Sequence, residues 1–115
     1  MKISRRDVIR VLFPNSNLRT SKRRPVLVIQ ADLLATGLPQ TIVAMITSNL
    51  VRAGHPSRVF VSASSPEGTA AGLRSDSVIM TDNLATVRET EVDSILGRLP
   101  SLAAVDGALR TTLGL

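Results

Sequence analysis

Residues 22–30, Lys-Arg-Arg-Pro-Val-Leu-Val-Ile-Gln, place three cations directly before a run of four β-forming residues. The apolar run from Val26 to Ile29 is typical of a short strand that is buried on both faces. Pro25 has no amide proton to donate, so it suits the first position of such a strand. Arg24 is therefore predicted to lie where a rigid core strand emerges from a cationic loop.

The composition of the chain favours one folded domain over residues 1–115. Of its 115 residues, 43% are hydrophobic and 20% are charged, which is typical of a globular chain. Its net charge of +5 favours an anionic partner. The chain has no cysteine, which fits a cytoplasmic protein. Its apolar runs are far shorter than the roughly 20 residues of a membrane span, so we expect no membrane association.

Short apolar segments separated by turns predict an antiparallel β architecture. Besides the opening strand, strands are predicted at 7–13, 41–47, 57–62, 77–81 and 85–87. Turns are expected at 14–17 and at Asp82-Asn83, and a long loop is expected over 64–76.

Two helices are predicted to follow the strands. The acidic residues near Glu89 favour a helix start, and that helix would end near Gly97. A second helix begins after Ser101, with Leu102, Val105, Leu109 and Leu113 on one apolar stripe. The predicted fold class is therefore mainly β with a C-terminal helix (α+β), as a small, strongly bent antiparallel barrel.

The residues argue against several kinds of active site. The single histidine, His55, lies in a Gly-His-Pro turn, which is too little for a zinc site or a serine–histidine triad. No phosphate-binding glycine loop of the Walker type occurs. No metal or cofactor is expected.

What remains is a cationic segment near a strand end that is rich in hydroxyl groups. If the second and third strands pair in antiparallel fashion, Arg24 lies beside Thr47. An arginine and a hydroxyl suit attack of an RNA 2′-hydroxyl on its own phosphate, because the protein need only orient the substrate and stabilise the phosphorane. The alternative is that Arg24 pairs with a surface carboxylate and that Thr47 is an ordinary strand residue.

Four segments in order resemble the MazF/PemK toxins, endoribonucleases of type II toxin–antitoxin pairs. They are Arg24-Pro-Val-Leu-Val-Ile-Gln30, Ala44-Met-Ile-Thr-Ser48, Gly72-Leu-Arg-Ser-Asp-Ser-Val-Ile79, and Asp82-Asn83 with Thr86-Val87. The resemblance implies an SH3-like barrel, a homodimer and a cognate acidic antitoxin. It also implies cleavage of single-stranded RNA, mRNA included, without a metal, leaving 2′,3′-cyclic phosphate and 5′-hydroxyl ends.

The resemblance also implies roles for individual residues. It assigns catalysis to Arg24 and Thr47, and further catalytic support is expected from Asp82, Arg23 and Ser48. Contacts to RNA are expected from Arg19, Lys22, Arg23, Asn49 and Arg74. Some members carry an arginine that donates a proton where this chain has Met80, so Arg23 or Arg24 is expected to supply that proton.

Two other interpretations stay open from the sequence. The chain could be a non-catalytic SH3-like module that binds an acidic protein or a nucleic acid in the same groove. It could also be a degraded relative that retains only antitoxin binding. If it is a nuclease, we expect loops 14–23, 31–40 and 63–76 to read the RNA sequence.

Overall fold

The computed structural model describes residues 2–14 and 17–115, which form one six-stranded antiparallel sheet and two helices. The strands are β1 (Asp7–Pro14), β2 (Ser21–Val28), β3 (Gln40–Thr47), β4 (Arg58–Val61), β5 (Ser77–Arg88) and β6 (Val92–Arg98). The helices are α1 (Pro66–Ala70) and α2 (Ala103–Leu113), with short 3₁₀ helices at Leu50–Arg52 and Glu89–Glu91. The prediction of a mainly β fold with a C-terminal helix is confirmed.

Hydrophobic clusters cover both faces of the sheet, whose strand order is β4-β5-β3-β2-β1-β6. In β2, Leu27 packs in one cluster, while Val26 and Val28 pack in the other. The prediction that this strand is buried on both faces is thus confirmed. In the described part of the chain the edge strands β4 and β6 do not pair with each other, so the sheet is barrel-like but open.

Helix α2 packs through its apolar stripe. Leu102 and Val105 are buried in the cluster that contains Leu27, Leu109 packs against it, and Leu113 is 54% exposed. The hydroxyls of Thr81 in β5 and Thr112 in α2 lie 2.8 Å apart, which ties the last turn of the helix to the sheet.

The prediction of a cationic loop before Pro25 is wrong, because β2 already begins at Ser21. The hairpin with β1 is long, and its pairing runs from Val8 opposite Leu27 to Pro14 opposite Ser21. Pairing with β3, by contrast, covers only residues 26–28. Pro25 has no N–H to extend that ladder, so β2 and β3 separate at the point where the cations begin.

The predicted turn at Asp82-Asn83 is also wrong. β5 is one strand of twelve residues, and its register with β3 shifts between Met80, opposite Met45, and Leu84, opposite Ala44. Residues 81–83 therefore have no partner in β3 and form a bulge. A bulge bends a strand where a turn would reverse it.

The helix predicted over 89–97 does not form. Only residues 89–91 are helical, as a 3₁₀ turn in which the Glu91 carboxylate accepts the Arg88 N–H at 3.0 Å. The chain then becomes β6, which pairs with the free edge of β1. A Cβ at Gly97 would lie 2.3 Å from the Ala70 carbonyl, so β6 packs directly against the end of α1 at this glycine.

The segment 64–76, predicted to be a loop, contains helix α1. Its N-cap is Ser65, whose hydroxyl accepts the Gly68 N–H at 3.0 Å, and Pro66 occupies the first turn. This Ser-Pro-Glu start is a helix signal that the sequence carries. Of the turn predicted at 14–17, residues 15 and 16 lie outside the described residues.

Candidate active site

Arg24 and Thr47 lie on neighbouring strands at the point where β2 and β3 separate. Val26 pairs with Met45, and continuing this antiparallel register places Arg24 opposite Thr47. Both residues line the same two clefts, one on each side of them. The Arg24 side chain is half-buried with its Nε atom inaccessible, and Thr47 is 9% exposed. Arg24 and Thr47 therefore lie next to each other, as the sequence predicts.

The hydroxyl of Thr47 has a fixed environment. Its Oγ1 atom accepts the backbone N–H of Asn49 at 3.1 Å, and Asn49 in turn caps the 3₁₀ helix at Leu50–Arg52 by accepting the Val51 N–H at 3.2 Å. Among the described residues Thr47 Oγ1 donates no hydrogen bond, so its proton is available for donation toward the clefts.

The first cleft, which we call the cationic cleft, has a volume of about 340 Å³. Besides Arg24 and Thr47, its polar lining includes Arg10, Lys22, Arg23, Ser48, Arg74 and Ser75. Cations from β1, β2 and the segment before β5 thus converge on one cavity. Such a concentration of positive charge suits the phosphates of a nucleic acid.

One carboxylate faces this cluster. Asp93 in β6 pairs with the Arg23 guanidinium, and its Oδ2 atom lies 4.0 Å from Arg10 Nε. All three side chains are at least one-third exposed, so solvent screens the interaction. Asp93 therefore offsets part of the positive charge at one side of the cationic cleft.

Glycine contacts hold Arg74 at this cleft. Gly72 adopts φ +72°, and a Cβ there would lie 2.2 Å from the Leu96 carbonyl of β6. The segment is also closed by the Asp76 carboxylate, which accepts the Ala63 N–H at 2.9 Å. The segment before β5 therefore packs closely against β6, and this contact positions Arg74 in the lining of the cationic cleft.

The second cleft, which we call the amide cleft, has a volume of about 640 Å³. Its lining besides Arg24 and Thr47 is mostly apolar or amide in character, with Phe13, Met45, Leu84, Asn17, Asn49 and Asn83. Arg52 adds one further cation. The bulge in β5 supplies Asn83, so this cleft depends on the irregularity at residues 81–83.

Asp82 is engaged away from both clefts. Its carboxylate accepts hydrogen bonds from Arg58, at 2.8 Å to Nη2 and 3.4 Å to Nε. These bonds hold the pKa of Asp82 below its ordinary value of 3.8, against a smaller opposing effect of burial. Arg58 also donates to the Arg52 carbonyl at 3.2 Å. The pair thus supports the 3₁₀ helix that Asn49 caps.

The predicted site residues separate into two groups. Arg23, Arg24, Lys22, Thr47, Ser48 and Arg74 line the cationic cleft, and Asn49 joins Arg24 and Thr47 at the amide cleft. Arg19 and Asp82 line neither cleft. The functional roles of all these residues stay predictions.

Sequence reasoning missed Arg10 and Asn83. Arg10 interrupts the apolar run of β1, and a charged residue inside a strand signals a face that is open to solvent. The sequence favours a turn at Asn83, and no local signal distinguishes a turn from a bulge at that dipeptide. Across residues 2–14 and 17–115, no three acidic or histidine side chains are grouped to hold a metal ion.

No helix in the part of the chain that the structure describes is long and apolar enough to cross a membrane. Helix α2, the longer of the two α-helices, has eleven residues.

The fold and the cationic site define a class of small, bent β proteins with a C-terminal helix, and solved structures share this architecture. A mycobacterial endoribonuclease in complex with its cognate antitoxin superposes with a TM-score of 0.74 at 21% identity, covering 99% of this chain and 97% of that one. MazF from Deinococcus radiodurans gives 0.73 at 20% identity, covering 100% and 99%. At these identities the likeness establishes the fold alone.

Sequence comparison establishes the family. The family model described as PemK-like, MazF-like toxin of type II toxin-antitoxin system matches residues 4–113. Endoribonuclease MazF2 of Mycobacterium bovis and endoribonuclease MazF6 of Mycobacterium tuberculosis are each 38% identical over 119 residues, covering 100% of both chains. The chain therefore belongs to the PemK/MazF toxin family of type II toxin–antitoxin systems, as the sequence motifs predicted.

Proposed function

We propose that this toxin is an endoribonuclease that cleaves single-stranded RNA, mRNA included, between the cationic and amide clefts. The observation that carries the proposal is the position of Arg24 and Thr47 on opposing strands, where they line both clefts. The name endoribonuclease borne by relatives at 38% identity supports it. A strand of RNA lying across the two clefts would present one phosphate to this pair.

The proposed reaction is transesterification within the RNA. The 2′-oxygen of one nucleotide attacks the adjacent phosphorus, the O2′–P bond forms and the P–O5′ bond breaks. The 2′-hydroxyl loses its proton to solvent through the open cleft, and the leaving 5′-oxygen gains one. The products carry a 2′,3′-cyclic phosphate and a 5′-hydroxyl. The substrate supplies the nucleophile, so no metal-activated water is required.

Arg24 is assigned the charge-stabilising role. A guanidinium is a poor general base because it stays protonated, but its planar set of donors matches the equatorial oxygens of a phosphorane. Its place on a core strand fixes that geometry before the substrate binds. We also assign donation of the proton to the leaving 5′-oxygen to Arg24 or Arg23, and solvent in the open cleft returns a proton to that guanidinium afterwards.

Thr47 is assigned to orient the scissile phosphate by donating its hydroxyl proton to a phosphate oxygen. Ser48 lines the cationic cleft next to it and is assigned a second contact to phosphate. The proposed contribution of Asp82 is indirect, because its carboxylate is bound to Arg58. Lys22, Arg23 and Arg74 would bind flanking phosphates, and Arg19 would act from outside the clefts.

The partners follow from the family and the charge. A cognate acidic antitoxin is proposed, since a solved relative of the same fold is described with its cognate antitoxin and the net charge here is +5. We further propose a homodimer, a cytoplasmic location where mRNA is accessible, and a single toxin domain over residues 1–115.

The test is end-group analysis of RNA after incubation with the purified protein and a chelator. We expect cleavage to persist and to yield fragments with cyclic phosphate and 5′-hydroxyl ends. Arg24→Ala and Thr47→Ala should abolish or strongly reduce it, whereas Arg110→Ala, an exposed cation of α2, should not. Intact RNA together with tight binding of an acidic antitoxin would instead identify a non-catalytic binding module.

A further inference from the structure

We infer that the amide cleft is a binding subsite for one unpaired nucleobase next to the scissile phosphate, read by Asn49 and Asn83. The inference rests on the proposed function only in requiring that RNA enters the clefts. It assigns to this cavity a ligand class, a nucleobase, that differs from the phosphates of the cationic cleft.

The apolar side chains of the lining favour a base over a phosphate, and Arg24 and Arg52 also line this cleft. Met45 and Leu84 are partly buried apolar side chains, and Met45 packs against the cluster that contains Phe13, which is 2% exposed. A flat heteroaromatic ring gains by leaving water against such a surface, whereas a phosphate loses its hydration there. The volume of about 640 Å³ lies within the range of small-molecule sites.

The two amides present complementary hydrogen-bonding groups. Asn49 uses its Oδ1 to cap the 3₁₀ helix, and among the described residues its Nδ2 donates no hydrogen bond, so its N–H groups are left for a ligand. Asn83 donates from Nδ2 to the Met45 sulfur at 3.0 Å, and among the described residues its Oδ1 accepts no hydrogen bond. One amide therefore offers a donor and the other an acceptor. That pairing matches a base edge in which a carbonyl or ring nitrogen adjoins an N–H.

Both amides are held by the fold. Asn49 is fixed by the helix cap and by its backbone hydrogen bond to Thr47 Oγ1. Asn83 lies on the bulge of β5, and the neighbouring Asp82 is bound to Arg58. Because Asn49 and Thr47 are directly hydrogen-bonded, the base in this subsite would belong to a nucleotide that adjoins the phosphate at Arg24 and Thr47.

The experiment is selection from a randomised single-stranded RNA library with 2′-fluoro sugars, which lack the attacking hydroxyl and are bound without being cleaved. Wild-type protein is expected to enrich one base at one position. Asn83→Leu and Asn49→Ala should flatten the preference at that position by about tenfold and leave the other positions intact. Arg110→Ala, on α2 and outside both clefts, is the control and should keep the wild-type profile.

The outcomes separate this inference from the proposed function. If wild-type protein selects a base and both variants keep the same profile, the subsite is wrong and the nuclease proposal stands. Absence of any base preference, or variants that lose only antitoxin affinity, would likewise overturn it. Base-selective binding that the variants flatten, with no cleavage of unmodified RNA, would support the subsite and refute the nuclease.

Discussion

The cationic and amide clefts share Arg24 and Thr47 and differ in almost everything else. One draws arginines and a lysine from three separate segments, and the other joins apolar side chains to asparagines. Phosphate contacts position a nucleic acid without reading its sequence, whereas contacts to base edges specify it. The difference indicates that affinity is concentrated in the cationic cleft and base selection in the amide cleft, with chemistry at their boundary.

The largest effect is expected at that boundary. Arg24→Lys keeps the positive charge but loses the planar set of donors, so we expect the single-turnover cleavage rate to fall about 100-fold or more. Arg110→Lys should leave the rate unchanged. A near-normal rate in Arg24→Lys would mean that charge alone suffices, and the role assigned to the guanidinium geometry would be lost.

Lys22→Ala and Arg74→Ala should weaken RNA binding through charge alone. Each variant is expected to lower the slope of log affinity against log salt by about 0.7, the value for one phosphate contact to a single strand. The base preference should stay that of wild type. A changed preference with an unchanged salt slope would contradict the division between the two clefts.

Asp93→Asn should strengthen RNA binding. The substitution removes the carboxylate that pairs with Arg23 and lies near Arg10, so both cations become available to phosphate. Since the pair is partly exposed, a gain of a few-fold is expected, corresponding to at most about 1 kcal/mol. Fluorescence anisotropy at low salt would measure it, and weaker binding would show that Asp93 instead holds Arg23 in its productive position.

The smallest effect is expected on stability, at the ion pair between Asp82 and Arg58 beside the amide cleft. Asp82→Asn should lower the free energy of unfolding by up to about 1 kcal/mol at neutral pH, because it breaks the ion pair with Arg58. The folded-state pKa of Asp82 lies below 3.8, so the stabilisation is present above that pH and is lost as the pH falls through the folded-state value.

Urea denaturation at a series of pH values would measure this difference between wild type and Asp82→Asn. The exposed Glu89→Gln is a suitable control, since in the described part of the chain Glu89 forms no ion pair. A difference that persists unchanged after the carboxylate has been protonated in the folded state would show that the stabilisation does not come from the ionised carboxylate.

Much of the fold was predictable from local pattern. The buried run at 26–29 and the stripe from Leu102 to Leu109 each carry a periodicity that one element satisfies. The prediction of a helix over 89–97 was wrong because the acidic residues at its start form only a 3₁₀ turn at Glu89–Glu91. Its remainder becomes a strand only because the edge of β1 is available to it.

The candidate site was predictable in part. The antiparallel pairing of β2 with β3 follows from their being consecutive strands in the chain, and it brings Arg24 to Thr47. Asp82 was expected to support catalysis, but its nearest partner, Arg58, is 24 positions away in the sequence. No local pattern reports such a contact.

The sequence by itself determined the family, the buried β2 strand and the chemistry of the pair Arg24 and Thr47, because these depend on residue type and short-range order. Tertiary structure alone decided that the pair lies between two clefts of unlike character. That arrangement arises from the end of the β2–β3 ladder at Pro25 and from the bulge in β5, which are long-range consequences of how strands pair.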